Sequence, residues 1–499
     1  MGDFLIKKFM KRHSHSQTGA ALIIFLTIMV LGVSAILLSE LNTNTDLMLD
    51  DQAQTAQILA QAKEALIGYA VNYYDTVSSA GISQEGRYGF LPCPDVDNNV
   101  AYPEGVEHGN CVGQDQSSLG RLPWRTLGLP PLRDGAGECL WYAISGTYKN
   151  ATIDTVRTNM LNEDTNGLFE VLLSDGTTTP STIVGQTPQD RAIAVIIAPG
   201  KRLSSQTRQT ESDTEICGGN YTATNYLDSD STANVNNADF SIDADTVNEF
   251  ITTQDNSSPI NDQIAYITRE ELWSYVRKRT DFMENMQTLT RTAAQCIANY
   301  PNSLVDRRLP WAAPMNLLDY SEDSQYDDQS ALLSGRLPDI VKNSNTIINK
   351  ANVNLKLMTE CSSITSDDEL SKLWQNWKDH LFYAVAEAHK PDADSSTPTC
   401  TTTNCLTVNG NLYAAVVMFA NSPLPAGKQD NSQQVRDIAD KADITNYLEQ
   451  TNATNTGGNG TYLQWNMSDD DGDETNDIND ILYCIDGDDL SVTFCPSPP

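Results

Sequence analysis

The 499-residue sequence has little positive charge, and it has none of the short motifs that mark common catalytic sites. It contains 32 Lys and Arg residues against 66 Asp and Glu residues, which gives a formal net charge of −34. A body this acidic repels nucleic acid, so nucleic acid is not expected as a partner. The sequence has no GxSxG, HExxH or P-loop pattern, which argues against the enzyme classes that depend on them. We therefore do not expect an enzyme.

Histidine is equally scarce, with five in the whole chain. His380 and His389 belong to or flank the apolar segment LFYAV at 381–385, where we expect satisfied structural histidines rather than catalytic ones. Trp374 and Trp377 are expected in the core rather than on a sugar-binding surface. Carboxylates are so abundant that no pair stands out as a general acid and base.

Long apolar runs are also rare, and residues 20–38 form the one that could cross a membrane. A helix of this length spans about 28 Å, which is close to the thickness of a bilayer core. Lys7, Lys8, Lys11 and Arg12 precede it and acidic residues follow it, a charge bias that keeps the start in the cytoplasm. We predict a transmembrane segment at 20–39 and a single-pass location in the inner membrane. A cleaved secretory signal is the alternative.

The segment beyond the apolar run continues as a helical pattern. Residues 39–74 contain no proline and only Gly68 as a glycine. Apolar residues recur at three- and four-residue steps on one face, namely Leu59, Ala62, Leu66, Ala70 and Tyr73. We predict one helix from residue 20 to about 74, with a transmembrane part and then an amphipathic part over 40–75. Such a helix would be about 80 Å long.

The basic leader of residues 1–19 ends in Gly19, and Ala20 opens the apolar helix. This arrangement resembles the type IV pilins and the pseudopilins of type II secretion. The resemblance implies cleavage by prepilin peptidase between Gly19 and Ala20, methylation of the new amino terminus, and association with other pilins through the stem helix. Ala20 and Ile24 stand where the family usually has Phe and Glu. Subunits near the filament tip also lack that glutamate, so the resemblance implies a rare tip subunit.

The chain has ten cysteines, and all of them follow the apolar run. An even number in an exported body predicts disulfides in an oxidising compartment. Sequence alone leaves the connectivity open, and nearest neighbours suggest Cys93 with Cys111, Cys400 with Cys405, and Cys484 with Cys495. The candidates are Cys93, Cys111, Cys139, Cys217, Cys296, Cys361, Cys400, Cys405, Cys484 and Cys495.

The sequence repeats itself at separations of 215 to 241 residues, always in the same order. The paired segments are LPC 91–93 and LPW 309–311, GRLP 120–123 and GRLP 335–338, LWYAI 140–144 and LFYAV 381–385, NYLD 225–228 and NYLE 446–449, and NDQIAYI 261–267 and NDILYCI 479–485. Such collinear echoes predict a duplicated unit. We expect a first pilin-like head at 76–267, a helix at 268–300 and a second head at 301–499.

Each unit is predicted to combine a helix with short strands. Thr268 and Glu271 form a capping box at the start of the second unit's helix, and 192–198 and 413–419 read as strands. The predicted fold class is α+β: two tandem pilin-like heads with small antiparallel or mixed sheets, carried on a long N-terminal helix. Arg121, Arg125 and Arg133 are expected to tie the loop-rich segment 120–144 to its head.

The acidic stretch 468–480 is the strongest chemical motif. Alternating carboxylates on a tight turn can converge on the hard oxygen coordination that calcium requires. A solvated acidic turn is the alternative, and DSD at 228–230 is a weaker version of the motif. The candidate ligands are Asp469, Asp471, Asp473, Asp477 and Asp480.

These observations predict a structural subunit, a minor pilin or pseudopilin that initiates or caps a type IV pilus-like or type II secretion filament at or near its tip. Its expected location is the inner membrane and then a filament at the periplasm or cell surface. A calcium-stabilised surface adhesin with an unknown surface ligand is the alternative. A membrane-anchored hydrolase is the third hypothesis, and no residue pattern supports it.

Overall fold

A computed structural model describes most of the chain from residue 43 to residue 497. The described ranges have gaps at 78–80, 82, 110, 114, 151–159, 175–178, 210, 213–214, 244, 254–259, 302–306, 353, 394–395, 425–433 and 465–477. The α-helices within them are α1 Thr43–Asn72, α2 Arg269–Val276, α3 Phe282–Ala298, α4 Asn343–Ile347, α5 Ser362–Thr365, α6 Asp368–Trp377 and α7 Gln450–Thr454.

The strands fall into two groups along the chain. The first group is β1 Ser118–Arg121, β2 Trp141–Ile144, β3 Phe169–Ser174, β4 Ser181–Val184, β5 Ala192–Ala198, β6 Ser229–Asp230, β7 Val235–Asn236, β8 Asn248–Thr253 and β9 Gln263–Thr268. The second group is β10 Ser334–Arg336, β11 Ile340–Val341, β12 Leu355–Lys356, β13 Leu381–Val385, β14 Leu406–Val408, β15 Asn411–Phe419, β16 Thr461–Tyr462, β17 Ile481–Asp486 and β18 Val492–Phe494.

Two seven-stranded mixed sheets form the framework, one from each group. We call residues 43–268 the first unit and residues 282–497 the second unit. The strands β1, β2, β3, β5, β8 and β9 pair with one another as β10, β13, β14, β15, β16 and β17 do. In both units one pair is parallel, β3 with β8 and β14 with β16. The first sheet also contains β4 and the second also contains β18. The two sheets therefore share one topology, and each has one strand that the other lacks.

The pairing register repeats down to its irregularities. The ladder of β5 with β9 shifts between Ala192 and Ala194, and the ladder of β15 with β17 shifts between Tyr413 and Ala415. The LPC and LPW echoes also have a structural meaning. The hydroxyl of Tyr142 donates to the carbonyl of Pro92 at 3.2 Å, and that of Tyr383 donates to the carbonyl of Pro310 at 3.1 Å.

The predicted fold class is wrong in its architecture. The described chain is a sheet-rich mixed α/β structure in which one hydrophobic core runs through both units. Trp273, just before the second unit, packs edge to face on Trp377 of that unit, with ring centroids 5.6 Å apart. The sheets are larger than predicted because the loops between the recognised segments add further strands. The units are therefore not separate small heads.

The helix α1 also differs from the predicted stem. It is described from Thr43, the first described residue, and the predicted start at residue 20 lies outside the described residues. The apolar face of Leu59, Leu66 and Tyr73 is buried in the common core rather than projecting beyond it. This face belongs to the body because β5 and β9 lie against it.

The predicted inner-membrane location is corrected as well. Among the described residues no helix is long and apolar enough to cross a membrane. The segment 20–39, on which that prediction depended, lies outside the described residues.

The helix predicted at 268–300 is two helices, α2 and α3. Its start is confirmed, because the Thr268 hydroxyl accepts a hydrogen bond from the Glu271 amide at 3.3 Å. The helical conformation is interrupted between α2 and α3. There Arg279 donates to the carbonyl of Val71 at 2.8 Å and forms ion pairs with Asp75 and Asp281. These contacts attach the segment between α2 and α3 to the end of α1. A periodic pattern along one helix does not reveal such a long-range contact.

Candidate functional site

Most residues predicted to carry chemistry lie outside the described residues. These are the cleavage pair Gly19 and Ala20 and the loop residues Asp469, Asp471, Asp473 and Asp477. Asp480 is described, and it is fully buried. Its Oδ2 accepts hydrogen bonds from the Glu449 amide at 3.1 Å and from Asn452 Nδ2 at 2.9 Å. The calcium site stays a prediction, and Oδ2 of Asp480 is occupied by two internal hydrogen bonds.

Asp480 lies against a second buried carboxyl group, that of Glu449. Glu449 accepts hydrogen bonds from Gln434 Nε2 at 3.0 Å and from the Asn479 amide at 3.1 Å. Burial raises the pKa of both carboxyl groups, and the Glu449 carboxylate raises the pKa of Asp480 further. Folding therefore disfavours the state in which both neighbouring carboxyl groups are ionised.

The first unit contains the same network. Asp262 accepts hydrogen bonds from the Asp228 amide and from Asn237 Nδ2, both at 2.8 Å. Asp228 in turn accepts from Gln206 Nε2 at 2.8 Å and from the Asn261 amide at 2.6 Å. Burial raises the pKa of both acids, and Asp228 raises that of Asp262 further. Because the network is built twice, it is a feature of the fold rather than of one ligand site.

Replacing Asp480 by Asn is expected to increase stability at alkaline pH. An acid whose pKa is raised by folding binds more protons in the folded state, so the free energy of unfolding falls as pH rises from its ordinary value through the raised one. The amide of Asp480→Asn can donate to Glu449 and removes this loss. We expect a gain of about 1 kcal/mol at pH 8 and a flatter pH dependence in urea unfolding. Asp262→Asn is the matched variant in the first unit, and a loss of stability in both variants would contradict a raised pKa at these two positions.

The arginine of the first GRLP segment is structural, as expected. Arg121 is 2% exposed and donates to the carbonyls of Cys217 and of Asn220, the latter at 2.8 Å. Its guanidinium lies 4.9 Å from the ring centroid of Tyr226, within the range of a cation–π contact. Arg133 similarly donates to the carbonyl of Ile216 at 2.6 Å. Both arginines tie the 120–144 segment to the loop that follows β5.

Arg336 of the second GRLP segment repeats this arrangement. It is fully buried, lies 5.0 Å from the ring centroid of Tyr447, and donates to the carbonyls of Asp379 and Lys441. The Lys441 carbonyl takes the place of the Asn220 carbonyl in the first unit, because both accept from Nη2 of the arginine.

Position 139 has an equivalent as well. The residue before LWYAI is Cys139, and the residue before LFYAV is His380. In the first unit Cys139 is bonded to Cys217. In the second unit His380 takes the place of Cys139, and it contacts the Asp164 carboxylate instead of forming a disulfide.

The charged groups come from both units. We call Asp164, Asp379, His380 and Lys441 the interunit cluster. Asp164 Oδ2 lies 3.2 Å from His380 Nε2 and 3.7 Å from Lys441 Nζ, and Lys441 Nζ lies 2.5 Å from Asp379 Oδ2. Tyr447 also donates its hydroxyl hydrogen bond to Asp164 at 3.0 Å. A loop of the first unit thus inserts one carboxylate into the interior of the second.

The electrostatics of the cluster are mutually reinforcing. Burial alone would raise the pKa of Asp164, but the His380 imidazolium and the nearby Lys441 hold that pKa well below its ordinary value. Burial would lower the pKa of His380, yet Asp164 and Asp379 raise it above the ordinary value. Each of Asp164 and His380 therefore favours the charged form of the other.

Two groups of side chains in the described residues have metal-ligating chemistry. Asp164, Asp379 and His380 place one possible ligand atom each within 4.8 Å of the others. Lys441 already neutralises this group, and the three side chains are at most 1% exposed, so no substrate reaches them. In the other group His389 lies beside Cys400 and Cys405, whose sulfurs are already joined in a disulfide. We assign the interunit cluster a structural role.

All ten cysteines form disulfides. The nearest-neighbour pairings are confirmed for Cys93–Cys111, Cys400–Cys405 and Cys484–Cys495. The remaining bonds, Cys139–Cys217 and Cys296–Cys361, join residues that are 78 and 65 positions apart. Sequence reasoning missed the interunit cluster, and the one signal for it was the repeat, which aligns His380 with a cysteine.

Comparison of the chain with models of protein families, with curated proteins and with solved structures found no match.

Proposed function

We propose that the chain is a structural, non-catalytic subunit of a filament of the type IV pilus or type II secretion kind, acting at or near the tip. The support comes from the leader that ends in Gly19 and from the form of α1. The proposed partners are other pilins or pseudopilins and the prepilin peptidase that would cut before Ala20. A role in adhesion at the tip is compatible with this proposal.

The exposed face of α1 is the observation that carries the proposal. While one face is buried in the core, the opposite face presents small and uncharged side chains at exposed positions, including Ala53, Ala56, Gln57, Ala60 and Gln61. The exposed positions from Ala53 to Gln61 carry no charge, and the exposed Asp50 and Glu64 bound this uncharged stretch. Small side chains let helix backbones approach closely, which suits packing beside the helices of neighbouring subunits.

Placing charge on this face is expected to reduce assembly. In the double variant Ala56→Glu and Ala60→Glu, two carboxylates would have to be desolvated between helices. We expect the fraction of the chain that sediments with purified filaments to fall about tenfold, which corresponds to about 1.4 kcal/mol. Val100→Glu, at a fully exposed site away from α1, is the control. Equal sedimentation of all three proteins would contradict the proposal.

Maturation offers an independent test of the same proposal. Mass spectrometry of the chain from filament-forming cells should find an amino-terminal peptide that starts at Ala20 with a methylated amine. Gly19→Asp should abolish this cleavage, and Gly2→Asp should not. A peptide that retains Met1 in the unsubstituted chain would overturn the assignment to a pilin-type filament.

We also propose that Asp469, Asp471, Asp473 and Asp477 bind calcium. The two ends of their loop are held together, because Gln464 Oε1 accepts from the Leu482 amide at 2.8 Å and the Asn479 amide donates to Glu449. Calcium at ten times its dissociation constant would add about 1.4 kcal/mol to stability. We expect calcium to raise the melting temperature of the unsubstituted chain but not that of Asp471→Asn with Asp473→Asn. An equal shift in both would exclude this loop.

A further inference from the structure

Among the described residues, the outer edge of β9 is a sheet edge that no strand of the first unit covers, whereas the equivalent edge in the second unit is covered. In the second unit β17 pairs with β15 on one side and with β18 on the other. In the first unit β9 pairs with β5, and within the described ranges no strand pairs with its other side. Half of the backbone amides and carbonyls of such an edge strand point outward.

The other equivalent edges are closed in both units. The edges of β1 and β10 are bridged by Asp95 to Arg121 and by Ala313 to Arg336. Beside β8 the Asn237 side chain takes the place of a strand, because it accepts from the Ile251 amide at 2.7 Å and donates to the Ile251 carbonyl at 2.9 Å.

Asn452 does the same beside β16. It accepts from the Leu463 amide at 2.8 Å and donates to the Leu463 carbonyl at 2.9 Å. The open edge at β9 is therefore a specific departure from a closed plan.

The residues of β9 do not protect the edge. Natural edge strands are commonly blunted by charged residues or proline, and β9, with the sequence QIAYIT, has neither over six residues. The other free edge of the first sheet in the described ranges, that of β4, has only four residues and follows Pro180.

The strand β18, which covers the outer edge of β17 in the second unit, indicates what kind of strand would fit the edge of β9 in the first unit. β18 runs antiparallel to β17 and places Phe494 opposite Tyr483, with the ring centroids 5.4 Å apart. In the first unit Ala265 occupies the position of Tyr483, since Ala265 pairs with Ile196 of β5 as Tyr483 pairs with Val417 of β15. A large side chain on a docked strand would have room over the alanine.

The second unit also secures its covering strand covalently through Cys484–Cys495. Tyr266 stands where Cys484 stands, because it pairs with Val195 as Cys484 pairs with Val416. The first unit thus lacks the equivalent cysteine, and its described residues include no covering strand.

We propose that the open edge of β9 binds an extended strand of a partner protein, which runs antiparallel to β9 and carries apolar side chains at alternate positions. This is β-strand addition, in which main-chain hydrogen bonds provide affinity and alternate side chains provide specificity. The edge would serve such a partner whether or not the chain is a filament subunit.

Disulfide trapping on the full chain tests the geometry. The probe is a synthetic peptide with the sequence of residues 489–496, DLSVTFCP, whose cysteine is activated as a mixed disulfide with an aromatic thiol. In Tyr266→Cys the protein thiolate attacks the peptide sulfur, the peptide–protein disulfide forms and the aromatic thiol leaves, so no other oxidant is needed. We expect trapping about tenfold faster than with a scrambled peptide, because docking raises the effective concentration of the two sulfurs.

The control is Ile183→Cys on the edge strand β4, where both peptides should react equally. Equal rates for the two peptides at position 266 would overturn the proposal. A second measurement needs no substitution: millimolar peptide should slow amide exchange in residues 263–268 of the unmodified chain. Slowing at β4 instead, or prior protection of β9 in a self-associated dimer on sedimentation, would also overturn it.

Discussion

Replacing Asp164 by Asn is expected to destabilise the chain by about 3–5 kcal/mol at pH 6, the cost typical of breaking a buried ion pair from one side. The substitution keeps the shape of the side chain and an acceptor for the Tyr447 hydroxyl. It leaves the His380 imidazolium buried at 0% exposure without its nearest counter-charge. The free energy of unfolding from urea titrations measures the effect.

The pH dependence of that cost distinguishes a charge effect from a packing effect. Asp164 contributes stability above its ordinary pKa, and the contribution is lost only as pH falls through its lowered folded pKa. His380 contributes stability below about pH 6.5, and this is lost as pH rises through its raised folded pKa. The cost of Asp164→Asn should therefore be largest near pH 5–6 and should shrink toward pH 9.

Two comparisons make the result interpretable. Asp327→Asn removes a short but more exposed pair with Lys342, and we expect a cost within about 1 kcal/mol. His380→Gln combined with Asp164→Asn gives a double-mutant cycle that isolates the coupling between the two. A cost below about 1 kcal/mol for Asp164→Asn, or one that stays constant from pH 5 to pH 9, would contradict an ionic link between the units.

The local features of the fold could be predicted from the sequence. Residues 192–198 form β5 as predicted, and 413–419 fall within β15. Thr268 begins a helix because its hydroxyl caps a free amide. The collinear echoes correspond to equivalent segments of the two units, because each echo contains residues that have the same structural role in both, such as Arg121 and Arg336. These signals are local, or they are repeated.

Features that depend on distant residues could not be predicted. Asp164 lies in a loop with no apolar period and meets His380 only because the units pack together. The sizes of the sheets were missed because β16 and β18 have two and three residues, too short for a periodic pattern. Cys139 and Cys217 were left unpaired because spacing favours near neighbours, whereas the fold brings Cys217 back beside β2.

Removing the Cys139–Cys217 disulfide by alanine substitution is the second change for which we expect a large effect. The bond closes a loop of 78 residues, and in the chain-entropy description such a closure stabilises the folded state by about 4.5 kcal/mol. Cys217 also presents its carbonyl to Arg121. Loss of the bond should therefore loosen the segment that Arg121 holds and increase amide exchange in β1 and β2.

The disulfide Cys400–Cys405 is the matched control, since it spans only 5 residues and its removal should cost about 2 kcal/mol by the same relation. The ordering matters because Cys139 of the disulfide and His380 of the interunit cluster occupy equivalent positions. The disulfide is expected to hold the loop after β5, and the interunit cluster the loop after β15. Losing the disulfide should therefore increase amide exchange first in β1 and β2, and Asp164→Asn should increase it first in β10 and β13. Equal costs for the two disulfides, or exchange that rises in the same strands in both variants, would show that the equivalent positions do not do equivalent work.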